Sequence, residues 1–189
     1  GVDEAQEELA ARRRRRARLG HGDGADLVDV LGWTLLPNHF HLLLQERVEG
    51  GVAKFMQRLC GSMTKSFNEK YDESGSLFQG SYKGKIVDTD VYLRQLVWYI
   101  LVKNVLELYP GGIPAAIKNF DKSWKWGLRY KYSSFGSAAQ GEVSAIVEDS
   151  EKLVSNICRS AVFKKDAKEL LVLHGFRSEK IKVLALEEW

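Results

Sequence analysis

The chain has 189 residues, 44% hydrophobic and 28% charged, with a formal net charge of +3, the balance of a folded globular protein with material for one domain or one domain plus an appendage. No apolar stretch approaches the ~20 residues that cross a bilayer, and the acidic, then arginine-rich start lacks the apolar core of a secretory signal, so a cytoplasmic protein without a membrane partner is expected. The two cysteines, Cys60 and Cys158, lie far apart, which argues against a disulfide framework or a thiolate zinc site.

Residues 4–19, rich in Ala, Glu and Arg, are predicted helical up to Gly20. Their run Arg12–Arg16 with Arg18 reads equally as a solvated helix face or a DNA contact. Leu27 to Leu36 reads as a strand, Pro37-Asn38 as a turn and His39 to Gln45 as a second strand, together a hairpin. Val52, Phe55, Met56, Leu59, Met63 and Phe67 recur at helical spacing and predict an amphipathic helix ending near Tyr71, with Lys54, Arg58 and Lys65 on its other faces. After a turn at Glu73–Ser76, Leu77 to Val87 is expected to be extended. Asp88-Thr89-Asp90 offers caps for a helix with the stripe Leu93, Leu96, Val97, Ile100 and Leu101. That helix should stop near Leu108, before Pro110-Gly111-Gly112. Lys118 to Lys131 then holds five Lys or Arg against the single acid Asp121, interleaved with Phe120, Trp124, Trp126 and Tyr130. Gly136 to Gly141 reads as a linker, and residues 147–189 as two short helices.

The segment Leu36-Pro37-Asn38-His39-Phe40-His41-Leu42-Leu43-Leu44 carries the clearest chemistry. On a strand, residues i and i+2 share a face, so His39 and His41 can present two imidazoles together. Two neutral imidazoles make half a site for a divalent metal; the alternative is two histidines on the exposed face of an edge strand.

This segment resembles the HUH motif of single-tyrosine transposases that mobilise insertion sequences as single strands, nearest to the REP-associated tyrosine transposases. The resemblance continues in order through Phe55-Met56-Gln57-Arg58-Leu59, Phe67-Asn68, Gly75-Ser76-Leu77-Phe78-Gln79-Gly80-Ser81-Tyr82-Lys83, Tyr92-Leu93, Tyr99-Ile100, Trp126 and Tyr132-Ser133-Ser134-Phe135, and an ordered string of this kind is far more specific than any one motif. It implies an α+β fold: a ferredoxin-like core with an antiparallel sheet and helices on one face in residues 1–139, atypical in its helical, basic start over 1–26, plus a helical appendage over 140–189.

It also implies metal-assisted cleavage and rejoining of single-stranded DNA, hairpin-bearing in the family, through a 5′-phosphotyrosine, with Mg2+ or Mn2+ as cofactor and the nucleoid of a bacterial or archaeal cell as setting. Imidazole ligands alone lean toward zinc. Tyr99 maps onto the nucleophile; Tyr92, seven residues earlier on nearly the same helix face, competes with it. Relatives carry a Gln or Asn ligand four residues after the nucleophile, but here Lys103 stands there and Asn104 follows. Asn104 becomes the third ligand if the helix loosens, Gln95 is an alternative, and Lys103 suits a phosphate.

DNA contacts are expected from Arg58, Tyr82, Lys83, Lys85, Trp124, Lys125, Arg129 and Lys131, by base stacking and phosphate neutralisation, though core packing competes for the aromatics. The family's opening strand has no counterpart before Leu27, so a partner copy would supply it, in a homodimer for example, or the gene is a shortened remnant. Two rival readings are a non-catalytic nucleic-acid-binding protein of the same fold, and a metal-dependent hydrolase with no covalent step.

Overall fold

The computed structural model describes residues 26–140, 151–160 and 162–177; the helix expected over 4–19 and its arginine run lie outside them. The expected hairpin is present as β1 (Val28–Leu35) and β2 (Phe40–Glu46), paired antiparallel. The Leu36 N–H donates to the His39 carbonyl at 2.8 Å, closing a tight turn in which Pro37, with its fixed φ, takes the first corner. Thr34 faces His41 and Leu35 faces Phe40 across the ladder, and the register shifts between Val30 and Gly32.

Helix α1 (Gly51–Tyr71) ends where the apolar spacing placed its end. A Cβ on Gly51 would fall 2.2 Å from the Leu27 carbonyl oxygen, so only glycine lets α1 start this close to the hairpin. Met56 is the one side chain of the α1 stripe that is fully buried, and Phe67 is 39% exposed.

Thr89 caps α2 (Asp90–Val97), its hydroxyl accepting from the Tyr92 N–H. The helix continues through a π-helical turn (Trp98–Lys103) into α3 (Asn104–Glu107). Its buried residues Val97, Trp98, Ile100, Leu101, Val102 and Leu106 form the centre of the core. Helices α4 (Gly112–Lys118), α5 (Phe120–Gly127), α6 (Phe135–Gln140), α7 (Glu151–Arg159) and α8 (Phe163–Arg177) complete the described residues. The α+β class with an antiparallel sheet is thus observed, the sheet among the described residues being two-stranded. No helix of the described residues is long and apolar enough to cross a membrane.

Two expectations are corrected, and the segment after Lys118 takes a definite form. Residues 81–88 are irregular and exposed apart from half-buried Val87, and pair with no strand among the described residues. The segment after Lys118 is helical: Phe120, Ser123, Trp124 and Gly127 lie three or four residues apart and form the buried face of α5. Residues 136–140, expected as linker, belong to α6, whose Phe135 and Ala138 enter the core.

Candidate active site

His39 is exposed at the mouth of the hairpin turn, and His41 is half-buried on β2. Their ring centroids are 5.0 Å apart, edge to face, so the i, i+2 spacing does bring the two imidazoles together. Asn38 Oδ1 lies 2.7 Å from His39 Nδ1. With the proton on Nδ1 donated to that amide oxygen, Nε2 keeps its lone pair outward, the arrangement a ligating histidine needs.

Tyr99 comes from the other side. Its ring sits 5.7 Å from that of His41, again edge to face, while Tyr92 instead packs under the Lys85 ammonium at 5.2 Å. The structure therefore gathers His39, His41 and Tyr99 into one row of rings, from three positions that the chain separates by up to 60 residues.

The helix beneath Tyr99 is wound in the wide form. The Asn104 N–H bonds to the Tyr99 carbonyl, five residues back rather than four, so the extra residue counted in the sequence is taken up as a π-turn at the site itself. Lys103 and Asn104 are both buried. Lys103 Nζ lies 5.0 Å from the Tyr99 ring centroid and 3.0 Å from Glu107 Oε2, a fixed positive charge beside the phenol. Lys103, expected to suit a phosphate, has a side chain only 3% exposed, with its charge engaged by Glu107. Asn104 Nδ2 is buried without a hydrogen-bond partner. An amide N–H left unbonded costs free energy, and as a donor it calls for an acceptor such as a phosphoryl oxygen. Gln95 is exposed and lines a cavity of about 350 Å³ between α2 and α8, with Arg94, Trp98 and Phe163 among its other walls.

The hydroxyl of Thr34, which sequence reasoning passed over, ties these parts together. Thr34 is fully buried opposite His41, and its Oγ1 donates to the Ile100 carbonyl at 2.7 Å. Ser133 Oγ lies 2.8 Å from the same hydroxyl. The Leu35 N–H donates to the Tyr132 carbonyl and the Ser134 N–H to the Trp33 carbonyl, so the aromatic-serine segment runs along the end of β1. Its place in the resemblance was the only signal that it mattered.

The expected DNA-contact residues divide. Arg58, Tyr82, Lys83, Lys85, Lys125, Arg129 and Lys131 are exposed. The Tyr130 hydroxyl donates to the Leu35 carbonyl at 3.0 Å, and burial raises its phenol pKa; Arg129, Lys131 and the 47% exposed Tyr132 thereby flank the hairpin end from which His39 projects. Phe78 packs on Phe40 at 5.9 Å, bringing the start of the 77–87 segment to the same strand. Trp124 is corrected: it is buried against Phe120, Phe135 and Phe163, and its ring is not available to a base. Asp121, fully exposed, is held below the usual carboxylate range by its hydrogen bond to Lys164 and by the charges of Lys164, Lys168 and Lys125.

Among the described residues no group of three or more His, Cys, Asp or Glu side chains forms a metal cage; the candidate donors that the structure brings together are the two imidazoles. No curated protein and no solved structure matches the chain. A family model does match: residues 24–102 fit the one described as "Transposase IS200 like". His39, His41 and Tyr99 all fall inside that segment, and the match supports the HUH single-tyrosine transposases as the family to which residues 24–102 belong.

Proposed function

We propose that this chain is a transposase that cuts and rejoins single-stranded DNA, with Tyr99 as nucleophile and a divalent cation held by His39 and His41, Asn104 being the candidate third ligand. The observation that carries the reading is the row His39, His41, Tyr99, in which a helix-borne phenol meets the His41 ring on β2 and His41 in turn meets His39 at the hairpin turn. Members of the matched family generally depend on a metal, and two neighbouring imidazoles, His39 with its Nδ1 engaged by Asn38, suit one; Asn104 would reach it through Oδ1, while its unsatisfied Nδ2 donor suits a phosphoryl oxygen. When bound, the cation would polarise a phosphoryl oxygen and offset its charge.

The rest of the chemistry belongs to the chain. Tyr99 Oη attacks the phosphorus and loses its proton, the P–O3′ bond breaks, and the 3′-oxygen takes a proton to leave as a free hydroxyl. The 5′-phosphotyrosine keeps the energy of the original diester, so a 3′-hydroxyl can later displace Tyr99 and rejoin a strand without ATP. Lys103 keeps a positive charge beside the ring, with Glu107 fixing where that ammonium sits. Arg129, Lys131 and Tyr132 flank the site to hold the strand, the cations on phosphates and the exposed ring on a base.

The test is incubation of the full chain with end-labelled single-stranded hairpin DNA and Mg2+ or Mn2+, followed by denaturing electrophoresis. A covalent adduct is expected, absent in Tyr99→Phe although that variant still binds DNA. An adduct surviving in Tyr99→Phe and lost in Tyr92→Phe moves the nucleophile to Tyr92. DNA binding without any adduct supports the non-catalytic reading, and strand cleavage with a free 5′-phosphate supports a hydrolase.

A further inference from the structure

Thr34 and Ser133 form a hydrogen-bonded relay that ends on the helix turn bearing Tyr99. The Phe135 N–H donates to Ser133 Oγ at 3.2 Å. Ser133 and Thr34 hydroxyls are 2.8 Å apart, and the single Thr34 proton goes to the Ile100 carbonyl at 2.7 Å. With that proton committed, the short contact to Thr34 makes Ser133 the donor there, its one proton shared with the Trp33 carbonyl at 3.2 Å.

The placement gives the relay a role beyond packing. Thr34 is the cross-strand partner of His41, and Ile100 is the neighbour of Tyr99 within the π-turn. A wide turn loosens the regular backbone ladder, and the Thr34 hydroxyl supplies a donor to a carbonyl inside it. One buried side chain thus ties the strand position opposite the metal-site histidine to the peptide beside the candidate nucleophile. Around it the chain is apolar and close-packed: Ile100 and Leu101 are buried, and a Cβ on Gly32 would meet Leu101 Cδ2 at 3.5 Å. Those contacts press the helix on the hairpin but do not fix its sliding; the hydrogen bond is directional and does.

We propose that Thr34, backed by Ser133, is a positioning residue that sets the register of Tyr99 against His41. This rests on the strand-transfer reading above. Catalysis by positioning is sensitive to small displacement, and a shift of about 1 Å can cost on the order of 100-fold in rate.

The experiment compares Thr34→Val, which keeps the shape and loses the donor, with Thr34→Ser, which keeps the donor, in the full chain. Two readouts are used: the single-turnover rate of adduct formation at saturating hairpin DNA, and the 19F resonance of Tyr99 in protein labelled with 3-fluorotyrosine, assigned through Tyr99→Phe. Thr34→Val should slow adduct formation by about 10- to 100-fold with DNA affinity retained, and should shift or split the Tyr99 resonance. Thr34→Ser should restore both. A folded Thr34→Val with the normal rate and an unmoved resonance overturns the proposal, as does a Thr34→Ser as slow as Thr34→Val. Should Thr34→Val not fold, Ser133→Ala removes the supporting hydroxyl instead, and an unchanged Tyr99 resonance there overturns it equally. The resonance needs no turnover: a chain that forms no adduct but whose Tyr99 signal responds to Thr34→Val defeats the strand-transfer reading and leaves the positioning intact.

Discussion

Replacing Trp124 by alanine separates a core role from a DNA-binding role for the basic-aromatic segment. The indole is 7% exposed. Its ring centroid lies 5.0 Å from that of Phe135, 5.6 Å from Phe120 and 6.2 Å from Phe163, so it joins α5 to α6 and to α8. Truncating a buried Trp removes its transfer free energy and leaves a cavity that neighbours only partly fill, about 3–5 kcal/mol. At about 2–4 °C per kcal/mol for a chain of this size, the melting temperature should fall by roughly 6–20 °C. Circular dichroism at 222 nm follows the melt, and fluorescence anisotropy with a labelled single-stranded oligonucleotide, taken well below the transition, reads affinity. Trp124→Ala should bind nearly as wild type while it remains folded. Tyr132→Ala, truncating an exposed ring, should do the reverse, keeping its melt and losing about 1–3 kcal/mol of binding if the ring stacks on a base. A Trp124→Ala protein that melts with the wild type yet binds DNA poorly would refute the core assignment.

Two other outcomes follow from the site and the cysteines. Deleting Lys103 removes the residue that widens the helix and places Asn104 four residues after Tyr99, so a cooperative melt close to the wild type is expected; loss of cooperative unfolding would show that the turn is not a one-residue insertion. Burial pushes the Cys158 thiol up to about 12, while Cys60 is raised less and is half-buried; since the thiolate is the reactive form, iodoacetamide at pH 8 should modify Cys60 first, and equal labelling rates in the folded protein would contradict the packing around Cys158.

The parts legible in the sequence were those with local causes. Pro37-Asn38 between two apolar runs gives the hairpin, Thr89 gives the start of α2, and Pro110-Gly111-Gly112 gives the end of α3. Residues 77–87 have the composition of a strand, but pairing needs a partner edge that local composition does not reveal. In the segment after Lys118 the alternation of aromatics with cations hid a helical stripe, Phe120, Ser123, Trp124 and Gly127, which is visible once the period is taken as three to four. The grouping of His39 with His41 follows from strand geometry, whereas the choice of Tyr99 leaned on the resemblance. Counting five residues from Tyr99 to Asn104 announced a loosened helix, and the π-turn is its physical form. Thr34 was illegible: one hydroxyl in an apolar strand does not say that its acceptor lies 66 residues away, and nothing around Lys103 in the sequence says that its stem would be buried.

The C-terminal helices share the core rather than decorating it. Val154, Cys158, Phe163, Ala167 and Leu171 bury into the same cluster as Val97, Trp98 and Trp124, and Trp98, the residue before Tyr99, donates its Nε1–H to the Ala167 carbonyl. A core assembled from both sides of a backbone connection does not depend on that connection being covalent. Residues up to 140 and residues from 151 onward, expressed as separate polypeptides, should therefore find each other and reconstitute the fold, as complementing fragments do. Exchanging the C-terminal helices for those of another protein would in turn disturb the turn that carries Tyr99, far in sequence from the splice.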